Sequence, residues 1–142
     1  MDHTQVKKQF PITWVVFGAL IAFWLWNVGN NIVDRSNVVD VEVAEAKSLI
    51  DSGAIIVDVR PRDRWAEGHI PGAISAPLSE IRNGIPKSLE AAKDKPIVVY
   101  CGDGEGSGPP ATIALNRAGY DKAVHLNGGF GNWTSGGLPT TK

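Results

Sequence analysis

Residues 96–111 read PIVVYCGDGEGSGPPA. The first five are apolar and largely β-branched, as a strand buried on both faces requires. That strand runs into Cys101, the one cysteine of the chain, and then into a loop with glycines at 102, 104, 106 and 108. Glycine tolerates positive φ, so successive amides of such a loop can turn inward around one point. Ser107 stands where it would cap the next helix. Pro109 and Pro110 suit a first helical turn, whose N–H groups lack intrahelical partners. The order is strand, thiol, amide loop, helix.

Working outward, the same alternation repeats. Val41 to Ile50 (VEVAEAKSLI) spaces Val43, Ala46, Leu49 and Ile50 at a helical period, and Asp51-Ser52-Gly53 ends it. Residues 54–59 (AIIVDV) form a second apolar strand candidate, and 68–76 (GHIPGAISA) read as a turn and a brief strand. Short helices are expected over 79–85 and 86–93, a longer one over 111–118, and a third buried strand over 123–126. Strands alternating with helices predict an α/β domain on a parallel sheet, spanning residues 34–142. Ligands of such sheets bind beyond the carboxyl ends of the strands, which is where Cys101 falls.

A thiol attacks only as its thiolate, and a helix N-terminus or a ring of amides can lower its pKa. The loop can therefore serve as a cradle with a sulfur at its base. The bland reading is a small buried cysteine ahead of an ordinary glycine turn. The loop's acids, Asp103 and Glu105, are expected to raise the thiol pKa by like-charge repulsion.

Three motifs carry a family resemblance. Residues 56–73 (IVDVRPRDRWAEGHIPGA) join a strand ending in Asp-x-Arg to an aromatic and Gly-His-Ile-Pro-Gly-Ala. PIVVYC with its loop to Ser107 is the second, and residues 123–139 (AVHLNGGFGNWTSGGLP) are the third. Together, from about Val38 to Pro139, they resemble the rhodanese-like sulfurtransferases. That resemblance implies a five-stranded parallel sheet with helices on both faces, and a catalytic Cys101 that accepts a sulfane sulfur as a persulfide. The donor would be a polysulfide, a protein persulfide or thiosulfate, and the acceptor a thiol. Gly102, Asp103, Gly104, Glu105, Gly106 and Ser107 would hold the substrate, mainly through backbone N–H groups. Arg64, beside Trp65, would either orient an oxyanion at the mouth or pair on the surface with Asp63 or Glu67.

Asp58 and Arg60 would brace the loops rather than touch substrate, and His69 would lock a turn. The loop departs from the family pattern at Gly106, where many members carry a basic residue. Thiosulfate, a small dianion, is disfavoured by that loss and by the two acids. A catalytically silent module that binds a partner or senses redox state is the alternative. Phosphatase or arsenate reductase chemistry would need a longer loop ending in arginine. No cofactor is expected, and His3 and His125 have no Cys or His at metal-ligand spacing.

The formal charge of −1 carries no nucleic-acid footprint. Residues 9–33 hold no charged side chain, and 12–26 (ITWVVFGALIAFWLW) are almost wholly apolar. A membrane span needs about 20 such residues. Residues 1–10 are thus expected to be a short tail and 11–33 a transmembrane anchor in contact with lipid. The run exceeds a signal-peptide core of about 7–15 residues and lacks an A-x-A-like site. Lys7 and Lys8, against Arg35 beside Asp34, predict a single-pass orientation with the tail cytoplasmic and the domain periplasmic.

Overall fold

Five strands, all parallel, form one sheet in the order β1-β5-β4-β2-β3. They are β1 (Asp40–Val41), β2 (Ile55–Asp58), β3 (Ile74–Ser75), β4 (Ile97–Tyr100) and β5 (Ala123–Leu126). Between them run helices α1 (Val43–Asp51), α2 (Arg62–Glu67), α3 (Leu78–Asn83), α4 (Gly108–Arg117) and α5 (Gly129–Ser135), with a 3-10 segment at Lys87–Ala92. The computed structural model describes residues 18–23 and 35–142, and the chain divides into two compact units, Met1–Asp34 and Arg35–Lys142.

Alternation along the strands divides the core in two. Val57, Ile97 and Val99 face Ile81 of α3, Leu89 of the 3-10 segment, and Ala111 and Leu115 of α4. Ile56, Val98 and Tyr100 face the other way, onto Ala46 of α1 and Trp133 of α5. Helices therefore cover both faces. All four β4 residues are buried, which is why PIVVY reads as a continuous apolar run rather than an alternating one. Each large apolar side chain so buried contributes about 1.5–3 kcal/mol from area alone. The Trp133 indole N–H donates to Pro139 O at 2.9 Å, so its polar end is satisfied inside the core.

The helix expected at 111–118 begins earlier, at Gly108, because Pro109 and Pro110 occupy its first turn without needing N–H partners. Ser107 makes no side-chain capping bond there, so its expected role as a cap is corrected. The tail at 1–10 and the anchor at 11–33 lie outside the described residues apart from 18–23, which are helical and exposed. Among the described residues, no helix is long and apolar enough to cross a membrane.

Candidate active site

Cys101 directly follows β4, between the start of α4 and the start of α5. Its carbonyl accepts the Phe130 N–H at 2.8 Å, and the Gly102 carbonyl accepts the Gly131 N–H at 2.9 Å. The base of the loop is thereby pinned to α5. Gly104 then turns back with φ +82°, and its N–H donates to Cys101 Sγ at 3.2 Å. A Cβ at Gly104 would sit 2.8 Å from Gly128 Cα, so the turn needs glycine for both reasons. Gly108 opens α4 hard against the sulfur: a Cβ there would lie 3.2 Å from Sγ and would strike His125 Nε2.

The pairing register places that histidine. His125 of β5 lies opposite Val99 of β4, and Asp40 of β1 lies opposite His125. Cys101 is two residues past Val99 and shares its face of the sheet, so the β5 imidazole points toward the sulfur. His125 Nδ1 is 2.7 Å from Asp40 Oδ1, and the side chain is 1% exposed. Its Nε2 is buried with no hydrogen bond of ordinary geometry among the described residues. Burial pushes the Cys101 thiol up, yet His125, the Gly108 and Gly104 N–H groups and the imidazolium charge together bring it below the usual thiol range. Burial likewise pushes His125 down, but Cys101 and Asp40 outweigh it and raise the imidazole.

The thiol is therefore lowered where the loop acids were expected to raise it. Asp103 Oδ1, 3.7 Å from Sγ, accepts N–H bonds from Glu105 at 3.0 Å and Gly106 at 3.3 Å. Those backbone donors, then the smaller bond from the thiol, hold the Asp103 carboxyl below the ordinary carboxylate range. Two amides expected to face the sulfur thus serve an aspartate instead. Glu105 turns outward to Arg35 Nη1 at 2.8 Å, and Arg35 Nη2 lies 3.9 Å from Asp40 Oδ2.

A cavity of about 400 Å³ opens on this loop, lined by Cys101, Gly102, Asp103, Gly106 and Ser107 together with Arg60 and Arg64. Of the two surface partners expected for Arg64, Glu67 is the one it bonds. Arg64 lines the cavity, and its Nη1 bonds Glu67 Oε2 at 3.2 Å on a side chain 64% exposed. Asp58, fully buried, takes the Arg60 backbone N–H at 2.9 Å and binds the Arg60 guanidinium at 2.6 Å. Arg60 Nη2 also donates to Gly68 O at 2.7 Å. His69 stacks on Trp65 at 3.9 Å, with Nδ1 3.0 Å from Trp65 O, and its backbone pairs with Thr141. It does not line the cavity.

His125, Asp40 and Arg35 were not among the site residues expected from the sequence. A linear signal exists for one of them: His125 is the lone polar residue in the four-residue strand AVHL. Among the described residues, no group of three or more His, Cys, Asp or Glu side chains is arranged to hold a metal ion.

A parallel α/β sheet with a strand-end thiol in an amide loop defines a class of thiol-centred domains. The rhodanese-like domain family matches residues 42–136, and the chain belongs to that family. It is 33% identical over 139 residues to the uncharacterized protein YibN of Escherichia coli, covering 97% of this chain and 95% of YibN. The human single-domain sulfurtransferase TSTD1 superposes with a TM-score of 0.57 at 30% identity, covering 68% of this chain and 95% of that one. The tRNA uridine(34) hydroxylase of Escherichia coli is 31% identical over 108 residues, which span 72% of this chain and 31% of the hydroxylase.

Proposed function

We propose that the domain is a sulfurtransferase or persulfide carrier acting through Cys101. The observation that carries this reading is the Cys101 sulfur at the wall of an open cavity, with the Gly104 N–H aimed at it from 3.2 Å. In the first half-reaction the Cys101 thiolate attacks the outer sulfur of a persulfide donor, R–S–SH. The donor S–S bond breaks, R–S⁻ leaves with the bonding pair, and Cys101 becomes Cys–S–SH. An acceptor thiolate then attacks that outer sulfur, takes it as R′–S–SH, and returns Cys101 to the thiolate. The exchange is redox-neutral and needs no cofactor.

The cavity wall also bears on the donor. Asp103 lines it, and the loop offers no basic side chain to a small dianion. Arg64 supplies positive charge, but an exposed guanidinium already paired with Glu67 is a weak attractor. This favours a polysulfide or protein-bound persulfide over thiosulfate.

The test is intact-mass analysis of the reduced full-length chain after exposure to polysulfide and, separately, to thiosulfate. The expected result is one added sulfur atom from polysulfide, none in Cys101→Ser, and little from thiosulfate. An unmodified wild-type mass with both donors would leave the silent binding module as the better account. Membrane attachment through residues 11–33, with the domain on the periplasmic side, is supported by the apolar run and the flanking lysines. Release of the full-length chain from membranes by alkaline carbonate would contradict it.

A further inference from the structure

The geometry points to His125 as the base that takes the Cys101 proton, with Asp40 fixing its ring, so that the resting site is a thiolate–imidazolium pair. This rests on the reading of Cys101 as the nucleophile, and it holds whatever the sulfur donor.

An ionised carboxylate only accepts, so Nδ1 of His125, 2.7 Å from Asp40 Oδ1, carries a hydrogen in either protonation state. In the neutral ring, Nε2 is then the bare lone pair. That atom is buried and without a partner of ordinary geometry among the described residues, where such atoms normally have one. It lies where a single Cβ on Gly108 would meet both it and Cys101 Sγ. A proton moving from Sγ to Nε2 completes the ring's hydrogen bonding and creates the nucleophile in one step. The mutual shifts, Cys101 down and His125 up, run in the direction such a transfer requires.

The charged groups around the ring agree. From β1 comes Asp40, from the end of β4 comes Cys101, and α4 presents the uncharged Gly108. Arg35 Nη2 lies 3.9 Å from Asp40 Oδ2, the carboxylate oxygen other than the one His125 uses. The competing acceptor for the thiol hydrogen is Asp103 Oδ1 at 3.7 Å, but that oxygen already takes two backbone N–H bonds. His125 does not line the cavity, so it acts on the sulfur and leaves the donor untouched. A histidine beside the nucleophile but outside the cavity lining sets how much thiolate is present and not which donor is chosen.

The test is the pH profile of iodoacetamide alkylation of Cys101 in the reduced full-length chain, for wild type, His125→Gln and Asp40→Asn. Wild type should alkylate with a midpoint below that of free cysteine. His125→Gln should move the midpoint up by at least about one unit, a loss of about ten-fold in rate on the acid side. Asp40→Asn should fall between the two. Should His125→Gln not fold, the His125 imidazole is titrated by NMR in wild type and Cys101→Ala, where removing the sulfur should lower its midpoint. An unchanged alkylation profile in folded His125→Gln, or a His125 midpoint indifferent to Cys101, overturns the assignment. Failure of sulfur loading with these shifts intact would instead sink the carrier reading alone.

Discussion

The sheet holds an acid–base pair on either side of β4, and the two are built differently. On the β2 side, Asp58 is fully buried and both its oxygens are occupied: Oδ1 by the Arg60 backbone N–H and Nε, Oδ2 by Nε and Nη2. Arg60 adds the Gly68 carbonyl and lies 4.2 Å over the Phe130 ring. On the β5 side, Asp40 is 45% exposed and holds one ring nitrogen of His125, while the other ring nitrogen is buried near the sulfur without a hydrogen-bond partner among the described residues. A pair whose buried carboxylate has both oxygens occupied is built as a brace. A pair with one atom left over beside a thiol has capacity for proton transfer.

That contrast can be broken by substitution, and the largest effect belongs to the closed pair. Asp58→Ala removes the partner of a buried guanidinium and should cost about 3–5 kcal/mol. In a domain of this size that lowers the melting midpoint by more than about ten degrees, read by thermal unfolding. A loss under about 1 kcal/mol would show that the pair is not a brace.

Gly108→Ala tests the junction between the two kinds of role. Its Cβ would crowd His125 and the Cys101 sulfur, so overpacking of about 1–3 kcal/mol is expected. The alkylation profile should move with it, which Asp58→Ala should not do in the folded fraction.

The open pair should reveal itself in pH dependence. The lowered Cys101 value stabilises the fold above the unfolded thiol's pKa, and that contribution is lost as pH falls through the folded value. The raised His125 value stabilises below the unfolded imidazole's pKa, and that is lost as pH rises through the folded value. Cys101→Ala should therefore flatten the stability–pH curve at both flanks, measured by denaturant titration across pH. A curve parallel to wild type would count against coupling. The smallest effect belongs to the surface: Arg35→Ala, which loses the exposed bond to Glu105, should change stability by at most about 1 kcal/mol, and less at high salt.

What the linear sequence showed and hid follows from the same physics. The strands at 55–58, 97–100 and 123–126 lie within the segments expected for them, because a doubly covered strand must be a continuous apolar run. β1 is two residues long and α2 buries none of its residues, so neither carried a hydrophobic period. α5 reads GFGNWTS, a poor helix by propensity that tertiary contacts fix, with its N–H groups bonded to the Cys101 and Gly102 carbonyls. The thiol and its glycine loop were legible because strand end, cysteine and loop are contiguous. The Asp40–His125 contact joins residues 85 apart, and the β1–β5 pairing that creates it left no local trace. The loop acids were visible, but their hydrogen bonds were not. Asp103 tightens the loop, and Glu105 faces away toward Arg35.

The most direct test of the account is a two-step transfer with isotopically labelled sulfur. The full-length chain is loaded with a labelled persulfide, desalted, and given a small thiol acceptor while intact mass and the label are followed together. The expected result is one labelled sulfur on Cys101, its appearance on the acceptor as a persulfide, and return of the protein to its starting mass. Label that never reaches Cys101, or that stays on it when the acceptor is in excess, would contradict a carrier and leave a thiol that merely binds.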